Sequence, residues 1–202
     1  ERVVRVIATE DEVGFEVTLL HQTVDPAVDV LRENWLLTVK RTEADCFCFE
    51  ITSLQTALTD EPLVVEKYHY GGMALRGPVS WLNAKDSHVK QHAELKVSGN
   101  TMLNNLGQGA EEGNHAHSQW VAMTGSAEGR PATIAVLCHR DNFRAPQAAR
   151  LHPTKPYFCF SPCVDGEFLI DRAHPRTAKY RYLVTAAPAD QKWLDEQWNA
   201  WR

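Results

Sequence analysis

The chain has 202 residues, of which 44% are hydrophobic and 23% charged, and its formal net charge is -5. This length and composition predict one globular domain that buries its core without disulfide or metal cross-links. The negative charge argues against a nucleic-acid partner, because no cluster of Lys and Arg would neutralise phosphates. No apolar run approaches the roughly 18 residues of a transmembrane helix, so we expect no membrane partner either. The compartment, cytoplasmic or periplasmic, is left open.

Most of the chain has apolar residues at every second position, which is the period of a half-buried β-strand. Turn residues separate these runs at intervals of about ten residues, as in an antiparallel sheet. We therefore predict an all-β fold, an antiparallel β-sandwich formed by residues 1–202 as a single domain. The alternating runs are Val4, Val6 and Ala8; Phe15, Val17 and Leu19; Phe47, Phe49 and Ile51; Thr133, Ala135 and Leu137; and Tyr180, Tyr182 and Val184.

Two stretches depart from this period. Residues 25–34 are compatible with a loop or with one short helix, whereas the C-terminal segment predicts a clearer helix. There, Leu194, Trp198 and Trp201 recur at helical spacing, and Pro188 suits the first turn. We expect this aromatic stripe to pack on the sheet, and stacking on a ligand is the alternative.

The five cysteines are an odd number and include no CxxC pair. Neither a disulfide framework nor a zinc knuckle is therefore favoured. Cys46 and Cys48 alternate with Phe47 and Phe49, which places the two thiols on one strand face and the two rings on the other. We expect packed, reduced thiols.

No nucleophile elbow, phosphate loop, dinucleotide fingerprint or HExxH motif occurs in the chain. His, Arg, Asn and Trp are instead concentrated between residues 69 and 153, in predicted loops and strand ends, where binding groups are commonly presented. In the stretch EGNHAHSQW, an extended backbone would place His115 and His117 on one face and Trp120 on the other. Three interpretations are open: half of a metal site, a metal-free polar ligand site, or solvated and structural histidines.

Two further clusters carry polar groups. Beside the Gly71-Gly72 pair, His69 and Arg76 stand among alternating aromatic and apolar residues. Arg76 can hold a carboxylate or a pair of hydroxyl groups of a ligand, or it can form a structural ion pair with an acidic neighbour. Further along, an apolar strand ends at Cys138 and leads into a long loop rich in donors, which is a common build for the rim of a pocket. That loop contains His139, Asp141, Asn142 and Arg144, with Arg150 and His152 on its far side.

Several of these stretches resemble a bacterial family of unknown function that is often labelled methane oxygenase. The matching runs are FEITSLQTALTDEPLVVEKYHYGGMALRG, SQWVAMTGSAEGRPATIAVLCHRDNFRAP, LHPTKPYFCFSP and YRYLVTA, which lie within roughly residues 45 to 185. In that family a Gly-Gly strand precedes a Trp-containing strand and a loop with the pattern Asp-His-Pro-x-Asn-x-x-x-Pro. The resemblance implies that His139, Asn142 and Pro146 match this loop.

The family is similar to β-sandwiches of the galactose-mutarotase class and tends to accompany enzymes of carbohydrate breakdown. The resemblance therefore implies a mutarotase-like supersandwich with a saccharide-related role, whereas the methane-oxygenase label conflicts with the lack of a transmembrane run. The chain departs from the family at Cys138, Arg140 and Tyr70, where the family has an acid, a proline and a glutamate. A His-rich segment that precedes the matched region in the family is missing, so we expect an incomplete site, a diverged member of the family, or a fragment whose partner is another chain.

The leading hypothesis is a protein that binds a saccharide or sugar derivative without a metal or other cofactor, with acid/base processing of that ligand as an open extension. The predicted proton-transfer groups are His115, His117 and His139. The predicted substrate-binding groups are His69, Arg76, Trp120, Asn142, Arg144 and His152. The first alternative is a non-catalytic interaction module, or a subunit that forms homo-oligomers or binds a partner chain. The second alternative is a metal-dependent enzyme that uses a His cluster.

Overall fold

The computed structural model describes residues 2–10, 12–40, 42, 45–92 and 94–201. The strands are β1 (Arg2–Ala8), β2 (Glu12–Gln22), β3 (Asp29–Lys40), β4 (Cys46–Ala57), β5 (Leu63–Val65), β6 (Ala74–Arg76), β7 (Thr101–Asn104), β8 (His117–Ser118), β9 (Trp120–Ala127), β10 (Arg130–Cys138), β11 (Gln147–Leu151), β12 (Tyr157–Phe160), β13 (Phe168–Ile170) and β14 (Arg176–Thr185). The helices are α1 (Ser87–Gln91) and α2 (Gln191–Ala200), and single 3₁₀ turns occupy Val79–Trp81 and Pro162–Asp165.

The large sheet joins strands from both ends of the chain in the order β1-β2-β3-β4-β14-β10-β9-β7. Strands β1 to β4 form a meander in which each strand pairs with the next, and β14 returns to pair with β4. All of the pairings in this sheet are antiparallel. The prediction of an antiparallel all-β fold with a short C-terminal helix is therefore confirmed.

The small sheet, in the order β6-β12-β11-β8, packs on one face of the large sheet. Alternation along each strand decides which side chains meet between the sheets, because neighbours in a strand point to opposite faces. Phe158, Phe160 and Leu151 of the small sheet are buried in one cluster with Tyr180 and Val136 of the large sheet. The arrangement is sandwich-like, and the other face of the small sheet points outward.

Helix α2 covers the opposite face of the large sheet. Its aromatic stripe packs there as predicted, with Leu194 and Trp201 buried and Trp198 partly buried. Asp190 caps the helix, since its carboxylate accepts a hydrogen bond from the backbone N–H of Trp193 over 3.0 Å. Among the described residues, no helix is long and apolar enough to cross a membrane.

The cysteines are distributed as the alternation predicts. Cys48 is buried on the side of the large sheet that α2 covers, whereas Phe49 packs on the side of the small sheet. All five thiols are free. The expectation of packed, reduced thiols therefore holds for Cys48, Cys138, Cys159 and Cys163, which are buried, while Cys46 is partly exposed.

Residues 25–34 contain no helix. The chain is irregular up to Val28, and β3 then begins at Asp29 and pairs with β2 on one edge and with β4 on the other. Ladder hydrogen bonds on both edges satisfy the backbone of β3 more completely than one isolated helical turn would. The loop alternative thus holds for the first part of this stretch, and the remainder is a strand that the sequence pattern did not reveal.

The apolar face of the large sheet continues beyond the small sheet. One row of paired residues runs from Ile51 through Leu37 and Phe15 to Val6. The exposed fraction along this row rises from 7% at Ile51 to 37% at Phe15 and 74% at Val6. Strands β1 and β2 therefore present an apolar face that the small sheet does not cover.

Candidate functional site

The outward face of the small sheet carries Arg and Tyr side chains. Arg150 precedes the buried Leu151 in β11, and Tyr157 precedes the buried Phe158 in β12. Strand alternation therefore turns Arg150 and Tyr157 away from the core. Arg76 of β6 is the ladder partner of Tyr157, so its guanidinium belongs to the same face.

The segment between β5 and β6 lies over this face. The Tyr70 ring has its centroid 5.6 Å from that of Tyr157, and the guanidinium carbon of Arg150 lies 5.6 Å from the Tyr70 centroid. The Cys163 thiol donates a hydrogen bond to the carbonyl oxygen of Tyr70 over 2.8 Å. The backbone N–H of Tyr68 donates to the carbonyl oxygen of Cys163 over 3.2 Å. These two bonds fix the segment to the 3₁₀ turn that follows β12.

Rings and cations continue on both sides of Tyr70. The His69 ring lies 4.2 Å from the Tyr70 ring between centroids. Beyond Tyr157, the guanidinium carbon of Arg76 lies 5.1 Å from the Tyr157 centroid, and the His152 ring lies 6.0 Å from it. Guanidinium groups at such distances are attracted to the ring faces. We call this set the outer-face cluster, and its members are His69, Tyr70, Arg76, His115, Arg150, His152 and Tyr157.

His115 belongs to the cluster although it is not in a strand. Its backbone has a φ of +67°, and its N–H donates to the carbonyl oxygen of Ala149 over 2.7 Å. Its Nε2 atom is buried and has no hydrogen-bond partner among the described residues. Burial lowers the pKa of His115, and the nearby charges of Arg150 and His69 lower this pKa further. The imidazole is therefore neutral near pH 7.

The prediction that His115 and His117 share one strand face is wrong. Strand β8 contains only His117 and Ser118, and the left-handed backbone at His115 belongs to the turn before it. A turning backbone cannot keep the alternation of an extended one. His117 instead lies against Asp165, with 3.0 Å between Nε2 and a carboxylate oxygen. Within the described chain, no three His, Cys, Asp or Glu side chains are placed to hold a metal ion.

The loop after β10 does not join the outer-face cluster. His139 is only 4% exposed and lies edge-on against Trp201, with 4.7 Å between ring centroids. Its Nδ1 accepts a hydrogen bond from the backbone N–H of Asp141 over 3.1 Å, and burial lowers its pKa. Asn142 exchanges two hydrogen bonds of 2.8 Å with the backbone of Lys179. These polar groups are used to hold the loop against β14 and α2.

Arg144 and Trp120 also differ from their predicted roles as ligand contacts. The guanidinium of Arg144 donates to the carbonyl oxygens of Pro162 and Gly166, both over 2.7 Å. Trp120 is fully buried between the large sheet and α2, and its indole N–H donates to the carboxylate of Asp195 over 2.8 Å. Contrary to the prediction, the Trp120 ring is therefore not available to stack on a sugar.

Four of the predicted site residues come together in the outer-face cluster, namely His69, Arg76, His115 and His152. The cluster also contains three residues outside the predicted set of proton-transfer and substrate-binding groups, namely Tyr70, Arg150 and Tyr157. The sequence does hold a signal for two of them. Arg150 and Tyr157 each stand next to a core residue in a short apolar strand. Because neighbouring side chains of a strand point to opposite faces, these two are expected to point outward.

In the part of the chain that the structure describes, no carboxylate neutralises the two guanidinium groups of the cluster. Among the described residues, neither Arg76 nor Arg150 forms an ion pair. Arg150 donates instead to two neutral acceptors, the side-chain oxygen of Asn114 over 2.8 Å and the carbonyl oxygen of Leu151 over 2.6 Å. A guanidinium group can bind a carboxylate. A tyrosine ring beside it can pack against the apolar face of a sugar ring.

A cleft of about 360 Å³ adjoins the cluster at His152. The Nδ1 atom of His152 accepts hydrogen bonds from the backbone N–H groups of Thr154 and Lys155, over 3.2 Å and 3.0 Å. A ring nitrogen that accepts carries no proton, so these bonds assign the proton of the neutral ring to Nε2. Burial lowers the pKa of His152, as do the charges of Arg150 and Lys155. His152 is therefore a neutral ring with a donor at Nε2.

A larger groove of about 940 Å³ lies between α2 and the large sheet. Its walls include Leu183, Leu194 and Trp193. Arg181 also lines the groove, and its guanidinium forms an ion pair with Glu50, with 2.5 Å between N and O. In the described part of the chain, no predicted site residue lines this groove. The chemistry is concentrated at the outer-face cluster, and we place the candidate site there.

Comparison with known proteins gives a family but no activity. The chain matches one family model over residues 1–199, and that model is described as a family of unknown function, DUF6807. Neither the curated proteins nor the solved structures contain a match. The expectation of an uncharacterised family is confirmed at that level. The chain therefore belongs to DUF6807, a family of unknown function.

Proposed function

We propose that the protein binds a sugar derivative that carries a carboxylate, a uronic acid, at the outer-face cluster. The observation that carries this proposal is the pair of guanidinium groups on tyrosine rings: Arg76 over Tyr157 at 5.1 Å and Arg150 over Tyr70 at 5.6 Å. Neither guanidinium has a carboxylate partner among the described residues. A ligand carboxylate would supply that partner.

The two kinds of side chain suit the two kinds of group on such a ligand. An Arg guanidinium binds a carboxylate through two parallel hydrogen bonds, and a charge-assisted bond contributes roughly 1.5–3 kcal/mol. The half-buried rings of Tyr70 and Tyr157 can pack against the C–H groups of a sugar ring. The mutarotase-like character implied by the sequence motifs supports the same ligand class. Together these features favour an acidic sugar over a neutral one.

Acid/base processing of the ligand is the extension of this proposal. His115 is the predicted proton-transfer group that belongs to the cluster, and the Nε2 of its neutral ring has no hydrogen-bond partner among the described residues. A neutral imidazole can accept a proton from a sugar hydroxyl. His117 and His139 lie against Asp165 and Trp201, so we no longer assign proton transfer to them.

The test is an NMR titration with methyl glucuronoside and methyl galacturonoside, and with their carboxyl methyl esters as neutral counterparts. We expect at least one acid to bind about tenfold more tightly than its ester, a difference of about 1.4 kcal/mol. Arg150→Met and Arg76→Met should each remove that difference. Arg130→Met is the matched control, because Arg130 is exposed in the hairpin of β9 and β10 and is not a member of the cluster. Equal affinity for acid and ester, or no binding of either acid, would falsify the proposal.

A second candidate function is an interaction module, which the uncovered apolar face of β1 and β2 favours. Val6 and Phe15 are 74% and 37% exposed and are paired on that face. Apolar surface of this kind is typical of contacts between chains, and the occupant that we propose is a second copy of this chain. Sedimentation over a wide concentration range should then show a dimer that Phe15→Lys disrupts. A monomer at every concentration would exclude this candidate.

A further inference from the structure

The cleft beside His152 has the groups of a sugar subsite and lies next to the outer-face cluster. Its volume of about 360 Å³ is near the lower end of the range for small-molecule sites, which suits one sugar ring. His152 takes part in both features, since its ring lines the cleft and lies 6.0 Å from the Tyr157 ring of the cluster. A ligand that extends past His152 would therefore enter the cleft. The polar side chains that line the cleft include Asn83, Asn100, Glu111, Glu112 and His152.

Asn83 and Asn100 of the cleft each have one side-chain polar group without a partner among the described residues. The Asn83 Oδ1 accepts from the backbone N–H of Lys85 over 2.9 Å, which leaves its Nδ2 without a partner among the described residues. The Asn100 Nδ2 donates to the carbonyl oxygen of Trp81 over 2.8 Å, which leaves its Oδ1 free within the same part of the chain. With the Nε2 donor of His152, the wall offers donors and an acceptor to hydroxyl groups.

The cleft and the outer-face cluster carry charges of opposite sign. Glu111 and Glu112 are exposed at the cleft, whereas Arg76 and Arg150 supply positive charge in the cluster. A carboxylate in the cleft would be repelled by the two glutamates, while neutral hydroxyl groups can donate to their oxygens. The acidic unit of a ligand is therefore directed to the cluster, and a neutral unit to the cleft.

We propose that the cleft is a subsite for a neutral sugar unit linked to the acidic unit that the outer-face cluster binds. The ligand is then at least a disaccharide with one uronic acid and one neutral residue. This inference rests on the proposed function, because the cluster must hold the acidic unit. It adds the size of the ligand and the order of charge along it, which the cluster alone does not define.

The test compares methyl glucuronoside with two mixed disaccharides, glucuronic acid linked to xylose in either order, because the direction of the chain is not assumed. We expect one disaccharide to bind about tenfold or more tightly than the monosaccharide, measured by NMR titration or calorimetry. In the double variant Glu111→Ala, Glu112→Ala this gain should disappear. Affinity for methyl glucuronoside should stay equal or rise slightly, because two negative charges near the cluster are removed.

The control is the double variant Glu10→Ala, Glu196→Ala, which removes the same charge from exposed positions outside the cleft. All four replaced side chains are exposed, and thermal unfolding checks that each variant is folded. If the monosaccharide binds but neither disaccharide gains affinity, the subsite is refuted and the proposed function stands. If the gain persists in the cleft variant, the neutral unit binds elsewhere and the inference is also refuted. If methyl glucuronoside does not bind, the inference is refuted, and the proposed function fails with it unless methyl galacturonoside binds.

Discussion

The Nε2 atom of His21 lies 3.0 Å from a carboxylate oxygen of Glu33, on neighbouring strands of the large sheet. Glu33 is only 7% exposed, although it carries a carboxylate in the middle of a strand. Ser53 and Gln55 of β4 donate to its other oxygen. Burial raises the pKa of this carboxyl, but the hydrogen bonds to it outweigh burial, and its pKa lies below the usual 4.5.

The lowered pKa of Glu33 makes part of the stability depend on pH. The folded state holds the carboxylate ionised at a lower pH than the unfolded state does, so the contribution is complete above the unfolded pKa of 4.5. It is lost as the pH falls through the lower folded pKa. We expect Glu33→Gln to reduce the free energy of unfolding at pH 7 by about 1–3 kcal/mol. In urea titrations at several pH values, the variant should also lose less stability than the wild type as the pH falls below 4.5. Glu16→Gln, at an exposed pair with Arg5, should change the free energy by less than about 1 kcal/mol.

Replacement of Gly72 should damage the outer-face cluster through the backbone. Its φ is +77°, and a Cβ at this position would collide with the carbonyl oxygen of Phe160. Gly99 is a matched control, because it has the same φ and no atom within 4 Å of an added Cβ. We expect Gly99→Ala to cost about 1–2 kcal/mol from the left-handed backbone alone. Gly72→Ala should cost roughly 1 kcal/mol more or displace the Tyr70 segment, with weaker uronate binding. Equal unfolding free energies and unchanged binding would contradict this.

Uronate binding should strengthen on mild acidification. The pKa of His115 is lowered by burial and then by Arg150 and His69, so the ring is neutral in the free protein at pH 7. A bound carboxylate favours the protonated ring, and linkage then requires affinity to rise as the pH falls toward that pKa. We expect tighter binding from roughly pH 7.5 to pH 5 in the range where imidazoles titrate. The rise should shrink in His115→Gln and persist in His174→Gln, whose ring is exposed beside Asp171.

Replacement of Trp120 should affect stability and leave ligand binding unchanged. Its indole N–H donates to Asp195 and holds α2 on the sheet. We expect Trp120→Phe to lower the free energy of unfolding by about 1–3 kcal/mol, because the half-buried Asp195 carboxylate loses its donor and because the ring is smaller. Asp195→Asn, which keeps an acceptor, should cost less. A large loss of uronate affinity in folded Trp120→Phe would show instead that the ring serves the ligand.

The period of the sequence was enough to predict the class of fold. Alternation between core and outward positions in β4, β10 and β14 is regular because both faces of those strands have fixed environments. The same reasoning correctly placed the aromatic stripe of α2. It missed the strand from Asp29, since residues such as Glu33 and Asn34 are polar and their partners, Ser53 and Thr18, lie far along the chain.

The candidate site was only partly accessible to sequence reasoning. His69, Arg76, His115 and His152 come together because strands β6, β11 and β12 are neighbours, which spacing along the chain does not reveal. Conversely, His139 and Asn142 follow a strand end in a donor-rich loop and still serve packing. A rich set of donors in a loop does not distinguish a pocket rim from a loop that is pinned to the core. That difference depends on which backbone carbonyls lie nearby.

The rise in exposure from Ile51 to Val6 along one row of the large sheet has a consequence for cooperativity. Strands β10 and β14 are covered by the small sheet on one face and by α2 on the other, so both must detach before these strands open. The hairpin of β1 and β2 is less buried than these strands on both faces. Amide protons at the centre of the sheet should therefore exchange with solvent through global unfolding, and those of the hairpin through a partial opening. The outer-face cluster is built on the small sheet, which packs on these slowly exchanging strands.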